Sequence, residues 1–221
     1  MKPIIFNTEM VKAILNGRKT MTRRVIKPQP EYIGECFHNL VGITEEMHWR
    51  WKPEGSFDHK QTRTESELKA YAVGFAKYQP GDVLYVKEAW GKRDDPDGNL
   101  IYFYLASYDS NECEWALVKK WKSPATMPKE AARIFLRVTD VMVERVQDIS
   151  EQDAIAEGIS DSSAYDCNGW APSYNDPDSG GQANYVGAFE LLWDNINAKK
   201  GYSWESNPWV WVISFERIEK S

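Results

Sequence analysis

Two apolar periods run along this chain, and together they predict short helices set among β-strands. Met10, Val11, Ile14 and Leu15 form one helical stripe, with Thr8 as its cap, Glu9 at the positive N-terminal end and Gly17 as a left-handed stop. Residues 21–26 are β-branched and cationic and are closed by Pro28 and Pro30, the pattern of a strand running into a loop. Pro80, Gly81 and Asp82 make a tight turn into a strand over 83–90, whose alternation puts Leu84, Val86, Glu88 and Trp90 on one face. Asp94 to Gly98 signal a hairpin into an aromatic strand over 100–105, while Pro124 and Pro128 keep 106–131 irregular.

Strand alternation resumes at Ile134, Leu136 and Val138, then changes parity to Val141 and Val143, which places a bulge near Thr139 and Asp140. Ser150 and Asp153 have capping-box spacing and open a short helix that Gly158 ends, with Glu157 in its last turn. Tyr185, Val186, Phe189, Leu192, Trp193 and Ile196 follow helical spacing, so residues 184–197 read as a helix that Lys199, Lys200 and Gly201 complement and stop. Residues 209–215 are apolar on both faces, as in a central strand. Residues 28–77 read as a partly ordered loop with one short helix near 65–75. The Ser/Asp/Gly/Pro-rich 160–182 reads as a surface loop, or as a lid.

A length of 221 residues and a hydrophobic content of 42% suit one large domain, 1–221. The net charge of −6 argues against nonspecific coating of duplex nucleic acid, but the charge is unevenly spread. Residues 1–30 hold seven cations and one acid, whereas 146–198 hold ten acids and no Lys or Arg, so a fold that joins the two segments builds a site with both signs. Ten Trp leave room for a stacking surface, although core and rim packing accounts for most aromatics in any fold. Cys36, Cys113 and Cys167 form no C-x-x-C pair, which implies a reducing compartment. Ile4 to Phe6 is too short a run for a signal peptide, and 209–213 is too short to span a membrane; the expectation is a soluble cytoplasmic protein. Cys36, His38, His48 and His59 lack ligand spacing, so no metal and no cofactor are expected.

The chemistry is most concentrated at Asn16-Gly17-Arg18-Lys19-Thr20-Met21-Thr22-Arg23-Arg24, a helix-to-strand corner. Lys19 and Thr22 converge there only if Lys19 still lies in the turn, because three residues apart on a strand they would face opposite ways. The alternative is that Arg18, Lys19, Arg23 and Arg24 form a solvated surface. Glu88, on an apolar face, is either at a barrel mouth, paired with a cation, or at an ordinary rim position.

The string Gly-Arg-Lys-Thr-x-Thr-x-Arg after a short helix resembles the ASCH domain of the PUA-like superfamily. So do Tyr78-Gln-Pro-Gly-Asp-Val-Leu-Tyr-Val-Lys-Glu-Ala-Trp90, Met127-Pro128, Arg133 to Asp140, Asp148 to Gly158 and Asn207 to Ile213, which look like the longer ASCH proteins of phages and prophages. The resemblance covers about Phe6 to Phe215. It implies an α+β fold, a PUA-like small β-barrel of about six strands flanked by short helices, with insertions at about 28–77 and 160–182.

Some small ASCH proteins are amidohydrolases acting on N4-acetylcytidine, and the resemblance carries their catalytic Lys, Thr and Glu onto Lys19, Thr22 and Glu157, with Arg24 on a basic motif position. Thr22 would then supply a hydroxyl, and Lys19, its pKa pushed down by Arg18, Arg23 and Arg24, would act as base. Glu157 would orient the lysine or carry the proton, and Arg24 would steady an oxyanion. The expected partner is a nucleoside or single-stranded RNA. Three other readings stay open: an RNA- or nucleotide-binding module in which the cations Arg18, Lys19, Arg23 and Arg24 hold phosphates, Glu88 lines the site and Trp90 stacks on a base; a ribonuclease; and a phage accessory protein acting through 160–182.

Overall fold

The computed structural model describes residues 1–35, 47–51, 60–62, 64–108, 120–161 and 184–219. Its centre is a five-stranded sheet in the order β1 (Lys2–Ile5), β6 (Val83–Lys87), β9 (Phe135–Arg145), β10 (Trp209–Ile218), β2 (Met21–Val25). β1 runs parallel to β6, and every other neighbour is antiparallel. β10 lies between β9 and β2, and burial of Trp209, Val210, Val212 and Ile213 explains why its sequence is apolar on both faces. Along β9, Asp140 faces Ser214 but Val138 faces Phe215, so Thr139 is the extra residue of a bulge, where the parity change predicts one.

Helix α1 (Thr8–Leu15) carries the chain from the β1 edge of this sheet to the β2 edge. Its cap is Asn7 rather than Thr8: the Asn7 side chain accepts from the Met10 amide at 2.8 Å, leaving Thr8 as the first helical residue. Gly17 follows at φ 76°, the left-handed stop. The core between α1 and the sheet contains Phe6, Val11, Ile14, Leu84, Leu136 and Phe215. β1 and β2 do not pair with each other among the described residues, so the sheet is open, although Arg24 Nη2 on β2 donates to the Ile5 carbonyl on β1 at 2.9 Å. The architecture is α+β.

Residues 28–77 hold more than a loop and a helix. They contain β3 (Glu31–Glu35), β4 (Met47–Trp51) and β5 (Lys60–Thr62) as a three-stranded antiparallel sheet, followed by α2 (Glu65–Val73). Trp51 anchors this unit, packing with Ile26, Leu68, Val143 and Trp209 and donating its indole N–H to the Pro28 carbonyl. The strand expected over 83–90 stops at Lys87, and a separate hairpin of β7 (Trp90–Asp94) and β8 (Leu100–Tyr104) begins at Trp90. The bend between them lets Trp90 pair with Lys122 instead of continuing along β6.

Helix α3 (Glu151–Ala156) opens with the predicted capping box: Ser150 Oγ accepts from the Asp153 amide at 3.1 Å, and Asp153 Oδ2 from the Ser150 amide at 3.3 Å. Helix α4 (Tyr185–Asn197) matches the periodic stripe and is followed by Gly201 at φ 85°. Almost all of 160–182, with Cys36, His38, His59, Cys113 and Cys167, lies outside the described residues. No described helix is long and apolar enough to cross a membrane.

Gly158, at φ 98°, ends α3 against the corner, and a Cβ there would lie 2.9 Å from Ala13 Cβ and 3.2 Å from Lys19 Cβ. Gly158→Ala therefore combines backbone strain with overpacking and should lower stability by about 1–3 kcal/mol. Guanidinium unfolding checks it; an unchanged midpoint would show that the corner has slack.

Candidate functional site

The corner is set by backbone geometry. Both the Arg18 and Lys19 amides donate to the Ala13 carbonyl, at 2.9 and 3.1 Å, so Lys19 lies in the turn and β2 starts only at Met21. The condition for convergence is met. The Thr20 amide then donates to the Ala156 carbonyl at 2.9 Å and Arg18 Nη1 to the Gly158 carbonyl at 3.0 Å, docking the end of α3 onto the corner.

Lys19 and Glu157, 138 residues apart, meet in the interior. Lys19 Nζ donates to Glu157 Oε2 at 2.7 Å and to the Glu157 carbonyl at 2.6 Å, with the two side chains 0% and 3% exposed. The Phe6 ring lies 5.4 Å from the ammonium. Burial pushes the Lys19 pKa below its ordinary value; Glu157 pulls it back up, and Arg24 and Arg23 lower it further. The direction is the one expected, but its main cause is desolvation rather than crowding by cations, and the exposed Arg18 takes no part.

Arg23 is the hub of the acidic side. Its Nη2 reaches Glu144 Oε2 at 3.2 Å and Asp153 Oδ2 at 3.1 Å, and its Nη1 lies 3.8 Å from Glu157 Oε1. Here the basic N-terminal segment meets the acidic segment from 146 onward. Arg23 Nε and Glu157 Oε1 are buried with no hydrogen-bond partner among the described residues. Arg24 is half-buried, 5.3 Å from the Phe6 ring, and no described carboxylate lies within ion-pair distance of it. Burial lowers its pKa, with Glu157 and Tyr78 acting the other way.

Thr22, 3% exposed, is fixed by its register opposite Ile213. It lines a cavity of about 430 Å³ together with Arg23, Arg24 and Glu157, and α4 supplies Phe189 and Trp193 as an apolar wall. Lys27, Lys200 and Tyr202 also border it. Sequence reasoning missed this wall, because the stripe on α4 reads as core and nothing in its spacing says that part of it faces a cavity. It also missed Glu144 and Asp153 as the partners of Arg23. The charge asymmetry gave the segment for Asp153, but Glu144 reads as an ordinary strand residue.

Glu88 and Trp90 line neither this cavity nor its neighbour. Glu88, 1% exposed, is held by Arg133 through Nε and Nη2, both at 2.9 Å, so its place is the ion pair. Arg133 lies 4.1 Å from the Tyr104 ring and donates to Ser107 Oγ at 2.6 Å. Trp90, 4% exposed, packs against Met127, Ala131, Ala132 and Phe135 beneath Lys122, which leaves no free face for a base. Among the described residues no group of His, Cys, Asp or Glu is placed to hold a metal. Compared with known proteins, the chain matches no family model, no curated protein and no solved structure.

The two halves of the Glu88–Arg133 pair differ, since the Arg133 side chain is 28% exposed and that of Glu88 is 1% exposed. Arg133→Met strands a buried carboxylate and should cost about 3 kcal/mol, whereas Glu88→Gln leaves an arginine that can turn to water and should cost about 1 kcal/mol. Urea denaturation of both variants tests this order; equal losses would mean that Glu88 finds another donor.

Proposed function

We propose that the chain is a nucleoside-directed amidohydrolase of the ASCH kind, removing acyl groups from N4-acylated cytosine nucleosides at Lys19, Thr22 and Glu157. The observation that carries the reading is the buried Lys19–Glu157 contact, 2.7 Å long, beside a cavity that Thr22 and Glu157 both line. The finer fold reading, a PUA-like barrel, belongs to the same proposal and is supported by the Arg24 bridge between the two edge strands of the sheet.

In this mechanism Thr22 Oγ adds to the acyl carbon while its proton passes to neutral Lys19. The tetrahedral oxyanion is steadied by Arg24, which follows Arg23 on β2, two residues from Thr22, and has no described carboxylate within ion-pair distance. Collapse breaks the C–N bond, and Glu157 relays the proton from Lys19 to the leaving amine. Water then adds to the threonine ester, releasing the carboxylic acid and restoring the hydroxyl. A lysine lowered by burial is closer to the neutral form that the first step needs.

A binding role without turnover is the second reading, favoured by Arg24, Lys27 and Lys200 around the same cavity. Acetate release from N4-acetylcytidine separates the two. Lys19→Met and Glu157→Gln should each lower kcat by about 10²–10⁴-fold, with folding checked by circular dichroism. Because the base must be deprotonated, kcat should rise with pH and level off, with its inflection below the ordinary lysine value of 10.5. No acetate, or full activity in Lys19→Met, would end the amidohydrolase reading.

A further inference from the structure

A second cavity of about 400 Å³ lies on the other side of Arg24. It shares Ile5, Arg24 and Val25 with the first, so the two compartments adjoin along these residues, of which Arg24 is the charged one. Its floor is apolar and aromatic, from Ile4, Ile213, Tyr78 and Trp211, and its charged lining is Arg24, Lys77 and Lys87 with no carboxylate among the described residues. In a chain of net charge −6, a cavity with three cations and no acid is selective for anions. Lys87 is engaged with the Ala125 carbonyl at 2.6 Å, and exposed Lys77 lies 5.2 Å from the Tyr78 ring. Arg24 spends one N–H on the Ile5 carbonyl, and no described carboxylate lies within ion-pair distance of it. Both volumes fall within the range of small-molecule sites, about 300–1,000 Å³.

Two ring-sized compartments joined at a cation match a ligand with two ring bodies joined by an anion. We infer that the second cavity is a subsite for the neighbouring nucleotide of a single strand, with the linking phosphodiester at Arg24 and the next base against Trp211, the half-buried ring of the lining. This rests on the reading of the first cavity as the cytosine site, and it makes the preferred substrate an oligonucleotide rather than a free nucleoside. Arginine suits the linker because its planar fork can donate twice to a phosphate. The Trp211 ring suits a base of any sequence.

The test is calorimetric titration of the full chain with cytidine, its 3′- and 5′-monophosphates and the dinucleotide cytidylyl-cytidine, alongside acetate release from N4-acetylcytidine. The dinucleotide should bind at least about 10-fold tighter than cytidine, with an affinity that falls as salt rises. In Lys77→Ala, a change at an exposed position, the ratio of the two affinities should fall several-fold towards one. A dinucleotide that binds no tighter than cytidine overturns the inference. So does a monophosphate that gains as much as the dinucleotide, which would leave an anion site alone. A persistent dinucleotide preference without acetate release would remove the amidohydrolase reading and leave the subsite standing.

Discussion

The structure around the corner depends on one ion pair that has been taken out of water. Removing an ammonium and a carboxylate from solvent is costly, and their mutual attraction offsets the cost only when the geometry is tight. Here Lys19 makes two contacts with one residue, the carboxylate and the carbonyl of Glu157, so the ammonium is fixed in direction as well as position. Everything nearby serves that approach. The Thr20 amide and Arg18 hold the end of α3 in place, and Gly158 is bare where any side chain would push Lys19 away. A pair of this kind is weak evidence of stability and stronger evidence of a site.

Curvature of the central sheet then determines what the pair can face. The extra residue at Thr139 bends β9, and α1 links the two edge strands, so Arg24 on β2 reaches the Ile5 carbonyl on β1. Both residues of that contact line both cavities, whose linings otherwise differ. One has a single carboxylate, Glu157, among cations, and the other has cations and aromatic rings.

Local chemistry was legible in the sequence wherever a short-range rule applied. The Ser150–Asp153 box, the α4 stripe, the two-faced β10 and the bulge at Thr139 all follow from spacing, because each depends on neighbours within a few residues. That Lys19 lies in the turn was legible as a condition; its contact with Glu157, and the cavity that Glu157 shares with Thr22, depend on the docking of α3. What spacing could not give depends on distant contacts. Stacking by Trp90 stayed open as an alternative because alternation says which side a residue takes and not what covers it; Met127 and Phe135 cover it. The sheet within 28–77 was read as loop because its short strands are stabilised by Trp51 packing against Trp209, 158 positions further along the chain. The cause of the Lys19 shift was misassigned for the same reason, since like charges are visible in a string of letters and burial is not.

Asp153 Oδ2 accepts both the Ser150 amide that starts α3 and the Arg23 guanidinium that flanks Glu157. A helix of six residues does not persist alone in water, so α3 depends on contacts such as this one to hold its shape. The start of the helix and the acidic side of the site therefore draw on a single oxygen, and the fold and the pocket are coupled through an atom that lines neither cavity itself.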